Sequence, residues 1–198
     1  MKIICFGDSN TFGFIPLKGS RYKNRWPKVL QSMLKEDKII EDGMNGRTLF
    51  STDIDFPING FTYLISNLET NKEFDYFILM LGTNDLKNHY GKSPKDILND
   101  IIKFLDTINN HIKTNNLDAK IIVCGIPKVD DKIVTFDNYE NTSIKRDTFN
   151  ELEKDYMKKK DITFIDNTDL EIGGDGVHLL EESHYKLAEK LAKVIKGE

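Results

Sequence analysis

The chain has 198 residues, 39 % hydrophobic and 30 % charged, with a formal net charge of −4. Such a length and balance suit a single domain over 1–198 with one sizeable core. The mild acidity argues against a nucleic-acid partner, which needs a basic face, and no run approaches the ~20 apolar residues of a membrane span.

Residues 2–7 form a continuous apolar run; Gly7-Asp8-Ser9 follows at once, so the run reads as a strand and not as a signal peptide. Residues 26–34 place Trp26, Val29, Leu30, Met33 and Leu34 at helical spacing, with Pro27 suited to a first turn. A short strand over 39–41, a helix over 61–68 and a fully buried strand over 76–81 come next. Ser93-Pro94 reads as an N-cap with proline at the first helical position, and the helix it opens carries Ile97, Ile101, Leu105 and Ile108 on one face. A buried strand over 119–124, a helix over 143–159, a strand over 163–166 and an amphipathic helix over 180–195 complete the chain. Lys158-Lys159-Lys160 falls where a helix ends, a favourable place for positive charge. Cys5 and Cys124 lie inside apolar runs and read as buried core thiols, which suggests a reducing, cytoplasmic setting.

This βαβαβαβαβα alternation predicts an α/β fold, a parallel sheet between two helical layers. Right-handed crossovers among five strands suggest the order 2-1-3-4-5. The longest loops are expected over 11–24, 47–59 and 126–137.

Four short segments stand out on this plan: Gly7-Asp8-Ser9, Gly46 within Gly43-Met44-Asn45-Gly46-Arg47, Gly82-Thr83-Asn84-Asp85, and Asp175-Gly176-Val177-His178. They follow strands 1, 2, 3 and 5, which puts all four at the carboxyl edge, where open α/β sheets bind ligands. Singly each has an ordinary explanation: a turn serine, a turn glycine, an Asx-turn asparagine, a surface loop. Jointly they supply the parts for acyl transfer from a serine. Ser9 is the candidate nucleophile and His178 the base that activates it. Asp175, three residues before His178, is placed to hold one ring nitrogen while the other faces Ser9. The Asn84 amide and the backbone N–H groups of Gly46 and Ser9 are candidate oxyanion donors. Asp8 and Asp85 read as loop-holding carboxylates that accept backbone N–H bonds within their own loops. His89 follows the third segment and is placed to line a site, whereas His111 and His184 fall within helices. Gly-x-Ser-x-Gly is absent, and no pattern of metal-ligand spacing occurs, so no metal is expected.

Together these residues resemble the SGNH hydrolase superfamily, the GDSL-type esterases and lipases, over nearly the whole chain. Its four blocks contribute Ser, Gly, Asn and His, matched by Ser9, Gly46, Asn84 and His178, with the acid at Asp175. The stretches over 41–48 and 81–87, together with Arg25-Trp26-Pro27, are similar to the bacterial arylesterase and acyltransferase branch. The resemblance implies a flavodoxin-like three-layer sandwich, no cofactor, and hydrolysis of small or short-chain acyl esters through an acyl-enzyme, with transfer to alcohols as a variant. Homo-oligomers occur in that branch. Position 10 is Asn where the name-giving motif has Leu, and position 12 is Phe where the branch often has Trp. Asn10, Phe12, Phe14, Lys87, His89 and Val177 are candidates for the substrate-binding wall. Two other functions remain open at this stage. A carbohydrate O-deacetylase would suit a polar wall at Asn10. A non-catalytic flavodoxin-like binding module would use residues 6–11 as a phosphate loop, although the Asp8 charge would repel that anion.

Overall fold

The computed structural model describes residues 1–52, 59–133 and 139–198. Five parallel strands, β1 (Lys2–Gly7), β2 (Lys38–Gly43), β3 (Tyr76–Met80), β4 (Lys120–Cys124) and β5 (Thr163–Ile165), pair in the order β2-β1-β3-β4-β5. This is the predicted order. Between and after them run α1 (Ser9–Phe12), α2 (Trp26–Met33), α3 (Gly60–Thr70), α4 (Pro94–Thr114), α5 (Thr142–Lys159) and α6 (Glu181–Lys196).

Successive strand residues point to opposite faces of the sheet, so each central strand builds both layers. Ile4, Phe6, Phe77, Leu79, Ile121 and Val123 bury one face against Leu64 of α3, Ile101 and Phe104 of α4, and Phe149 of α5. Ile3, Cys5, Ile78, Met80, Ile122 and Cys124 bury the other against Trp26 and Leu30 of α2 and Leu187 and Leu191 of α6. Both cysteines are free and buried, and burial pushes both thiols up. Ser93 and Asp96 close a full capping box at the start of α4.

Three details differ from the sequence expectation. β2 covers six residues rather than three. It lies at the sheet edge with Lys38 exposed and the rest only partly covered, so Lys38, Glu41 and Asp42 interrupt its apolar pattern. α1 and two 3-10 turns, Asn84–Leu86 and Asn88–Tyr90, occupy stretches expected as plain loop; three or four residues are too few to show a 3.6 period. Within the expected loop 11–24, Phe14 and Arg21 form an antiparallel bridge. Of the other two long loops, 53–58 and 134–137 lie outside the described residues. Among the described residues no helix is long and apolar enough to cross a membrane.

Candidate active site

Ser9 opens α1 directly beyond β1 and is 5 % exposed. Asp8 caps that turn: its Oδ1 accepts the Asn10 N–H at 2.9 Å, and its carbonyl takes the N–H groups of Thr11 and Phe12. Burial is the largest influence on the Asp8 carboxyl and pushes it up. α1 lies against the end of β2 so closely that a Cβ on Gly43 would meet the Phe12 nitrogen at 2.2 Å. The absence of a side chain at Gly43 therefore lets the backbone of α1 lie directly against β2.

The base arrives on a closed loop. Ile172 and Leu179 form an antiparallel bridge, and Gly173 N–H donates to the His178 carbonyl at 2.8 Å. Within the loop, Asp175 Oδ1 accepts the Val177 and His178 N–H groups at 3.1 and 3.0 Å. Asp175 Oδ2 lies 2.7 Å from His178 Nδ1, and His178 Nε2 lies 2.8 Å from Ser9 Oγ. Burial raises the Asp175 carboxyl, but the hydrogen bonds from His178 and Val177 outweigh it and hold the group below its ordinary value. A carboxylate so placed fixes the proton on Nδ1 and leaves Nε2 to accept from the serine hydroxyl.

Gly46 occupies the third position of a turn closed by Arg47 N–H on the Met44 carbonyl at 3.3 Å, and has φ +73°, a region that favours glycine. The Arg47 carbonyl accepts one N–H of the Asn84 amide at 3.0 Å. The other Asn84 N–H, the Gly46 N–H and the Ser9 N–H have no partner among the described residues. The Arg47 side chain, fully buried, donates from Nη1 to the Gly7 and Asp42 carbonyls and from Nη2 to Asp42 Oδ1. Its guanidinium also lies 4.2 Å over the Phe6 ring. Arg47 was not among the sequence candidates. Its chemical signal, an arginine within an otherwise apolar and small stretch, looks like any surface charge until the contacts are known.

The expected wall residues fall into distinct places. Phe14 packs on the His178 ring at 4.5 Å between centroids. Asn10 is 1 % exposed and joins two loops: its Oδ1 accepts the Leu179 N–H at 2.9 Å, and its Nδ2 donates to the Val177 carbonyl at 3.4 Å. Its amide is thus committed to the scaffold, and no polar wall for a sugar follows from it. Val177 is buried, its carbonyl accepting from Asn10 and its N–H donating to Asp175 Oδ1. Phe12 lies beneath the Arg21 guanidinium at 4.3 Å. Lys87 is buried near the Tyr139 ring, and His89 is exposed against Tyr90. Asp85 reaches beyond its own loop to Leu49. A phosphate loop over 6–11 is disfavoured, because Asp8 already occupies the Asn10, Thr11 and Phe12 N–H groups. Among the described residues no three His, Cys, Asp or Glu side chains gather to hold a metal ion.

The arrangement can deprotonate a serine hydroxyl and stabilise a neighbouring oxyanion. Residues 5–185 match the family described as GDSL-like lipase/acylhydrolase. In structure, the chain is similar to an aryl esterase of M. smegmatis, with 27 % identity, a TM-score of 0.85, and coverage of 99 % of this chain and 98 % of that one. It is similar also to Est24, a carbohydrate acetylesterase from Sinorhizobium meliloti, with 29 % identity, a TM-score of 0.87 and the same coverage. No curated protein matches the chain in sequence.

Proposed function

The chain belongs to the GDSL-like lipase/acylhydrolase family and is a carboxylic ester hydrolase, and on that premise we propose that it is a serine esterase working through an acyl-enzyme at Ser9. The observation that carries this reading is the unbroken relay from Ser9 Oγ through His178 to Asp175, with steps of 2.8 and 2.7 Å. Ser9 Oγ attacks the ester carbonyl carbon while its proton passes to His178 Nε2. The resulting imidazolium is stabilised by Asp175 and returns the proton to the departing alcohol oxygen as the carbon–oxygen bond breaks. Water then attacks the acyl-enzyme, giving its proton to His178, and the carboxylic acid leaves as Ser9 regains its hydrogen. An alcohol in place of water would complete an acyl transfer. The negative charge on the carbonyl oxygen is received by the N–H groups of Ser9 and Gly46 and by Asn84, each such donor being worth about 2.7–4 kcal/mol in the transition state.

The substrate is a small ester with a short acyl group. Phe14 supplies an apolar surface against the His178 ring. Aryl acetates and acetylated sugars are both candidates, the latter supported by the likeness to a carbohydrate acetylesterase rather than by Asn10. The two buried thiols suit a cytoplasmic setting.

Labelling with a fluorophosphonate tests the mechanism. Wild type should gain one adduct mass, mapped to Ser9, and Ser9→Ala should lose both the adduct and at least about 10³-fold in kcat. Ester hydrolysis that survives Ser9→Ala would overturn the proposal. A panel of aryl acetates, acetylated sugars and longer acyl esters then ranks the substrates.

A further inference from the structure

The segment that follows Gly46 is fastened by two consecutive side chains from the third strand's loop. Asn84 holds the Arg47 carbonyl at 3.0 Å, and Asp85 Oδ2 accepts the Leu49 N–H at 2.9 Å. The carbonyls of Thr48 and Leu49 are taken in turn by the Gly60 and Phe61 N–H groups at the start of α3, at 3.1 and 3.0 Å. Asp85 is fully buried. Its other oxygen accepts from Lys92 Nζ at 2.8 Å, and Lys92 also bonds Asp100 Oδ2 at 2.9 Å.

A buried carboxylate is an expensive way to hold a loop, since an unpaired charge in the interior is strongly disfavoured. Here Lys92, shared with Asp100, supplies the cation beside it. Burial pushes the Asp85 carboxyl up to about 6, with Lys92 the strongest opposing influence. The return on that arrangement is an acceptor for the Leu49 N–H that Lys92 holds in place through its other oxygen. Stiffness matters at this place. Oxyanion donors act by being aimed before the charge develops, and small misplacements of a reacting geometry lower the rate steeply.

We infer that Asp85 is a positioning residue for the oxyanion hole: paired with Lys92, it fixes residues 47–49 through the Leu49 N–H and so sets the aim of the Gly46 N–H beside Asn84. This rests on the serine-esterase reading above. Asp85 itself, turned toward Leu49 and Lys92, touches no reacting atom.

The test compares kcat and KM for an aryl acetate, together with thermal melts, in three variants. Asp85→Asn keeps an oxygen for the Leu49 N–H and should retain kcat within about fivefold of wild type. Asp85→Leu has the same branching at Cγ and no acceptor; it should lower kcat by about 10²-fold, near the loss of an entire oxyanion donor, while KM moves by less than about threefold. Asp85→Ser, whose hydroxyl is too short to reach Leu49, serves if the leucine variant fails to fold. A folded Leu or Ser variant with near-wild-type kcat overturns the inference, and so does an Asn variant as impaired as the leucine one. Failure of wild type to react with a fluorophosphonate at Ser9 is a separate result: it removes the esterase mechanism on which the inference stands.

Discussion

Asn10 joins the loop that carries the nucleophile to the loop that carries the base. The Leu179 N–H it receives is buried, so truncation to alanine strands a donor, at a cost of about 1–3 kcal/mol. The same truncation frees the Asp175–His178 loop to shift against Ser9. Asn10→Ala should therefore lose about 1–3 kcal/mol in denaturant unfolding and about tenfold or more in kcat. Unchanged stability would show that the bond to Leu179 is not holding the two loops together. Asn10 also marks what a sequence leaves out at this scale. Beside a nucleophile, an asparagine reads equally well as a substrate contact or as a brace, and only the contact 169 residues away decides between them. Arg47 was hidden for the same reason, and Asp85, readable as a carboxylate that holds a loop, gave no sign that the N–H it accepts belongs to Leu49. Their partners are carbonyls and N–H groups on other elements, which leave no periodic trace.

α1 meets β2 backbone to backbone, and Gly43 is the residue that lets them touch. A methyl group there would fall 2.2 Å from the Phe12 nitrogen and 2.6 Å from the Thr11 carbonyl carbon, neither of which is a flexible side-chain end. Relief requires α1 to lift from the sheet, and Ser9 moves with it. Gly43→Ala should thus cost about 1–3 kcal/mol, the usual penalty of overpacking, and slow phosphonylation of Ser9 more than a remote variant of equal stability. Melting temperature and labelling rate measured on the same preparations separate the two effects. If labelling tracks stability alone, the contact has no role in placing Ser9. At this scale the elements of regular structure were readable. Central strands buried on both faces declared themselves as apolar runs, and α4 announced its start through Ser93 and Pro94. The edge strand β2, covered only in part, showed only its middle.

Across the whole molecule, the alternation of strand and helix carried the topology, because right-handed crossovers leave few ways to connect five parallel strands. That topology in turn brings four distant segments to one sheet edge. What it does not reveal is the electrostatic state of the interior, where a carboxyl of α5 affects the stability of the fold as a unit. Glu153 is 1 % exposed, and its Oε2 has no hydrogen-bond partner among the described residues. Burial alone drives its carboxyl well above the ordinary value of 4.5. The folded chain therefore keeps the proton over a range of pH in which the unfolded chain releases it. A group raised in the folded state contributes its full stability below the unfolded value, and that contribution is lost as pH rises toward the folded value. For a single proton the limiting slope is about 1.4 kcal/mol per pH unit. Glu153→Gln keeps the shape and removes the titration. Its stability relative to wild type should widen from pH 4.5 upward, with little difference below. Denaturant unfolding of both proteins across pH 4 to 8 measures the gap directly; two parallel curves would mean that Glu153 titrates alike in the folded and unfolded chains.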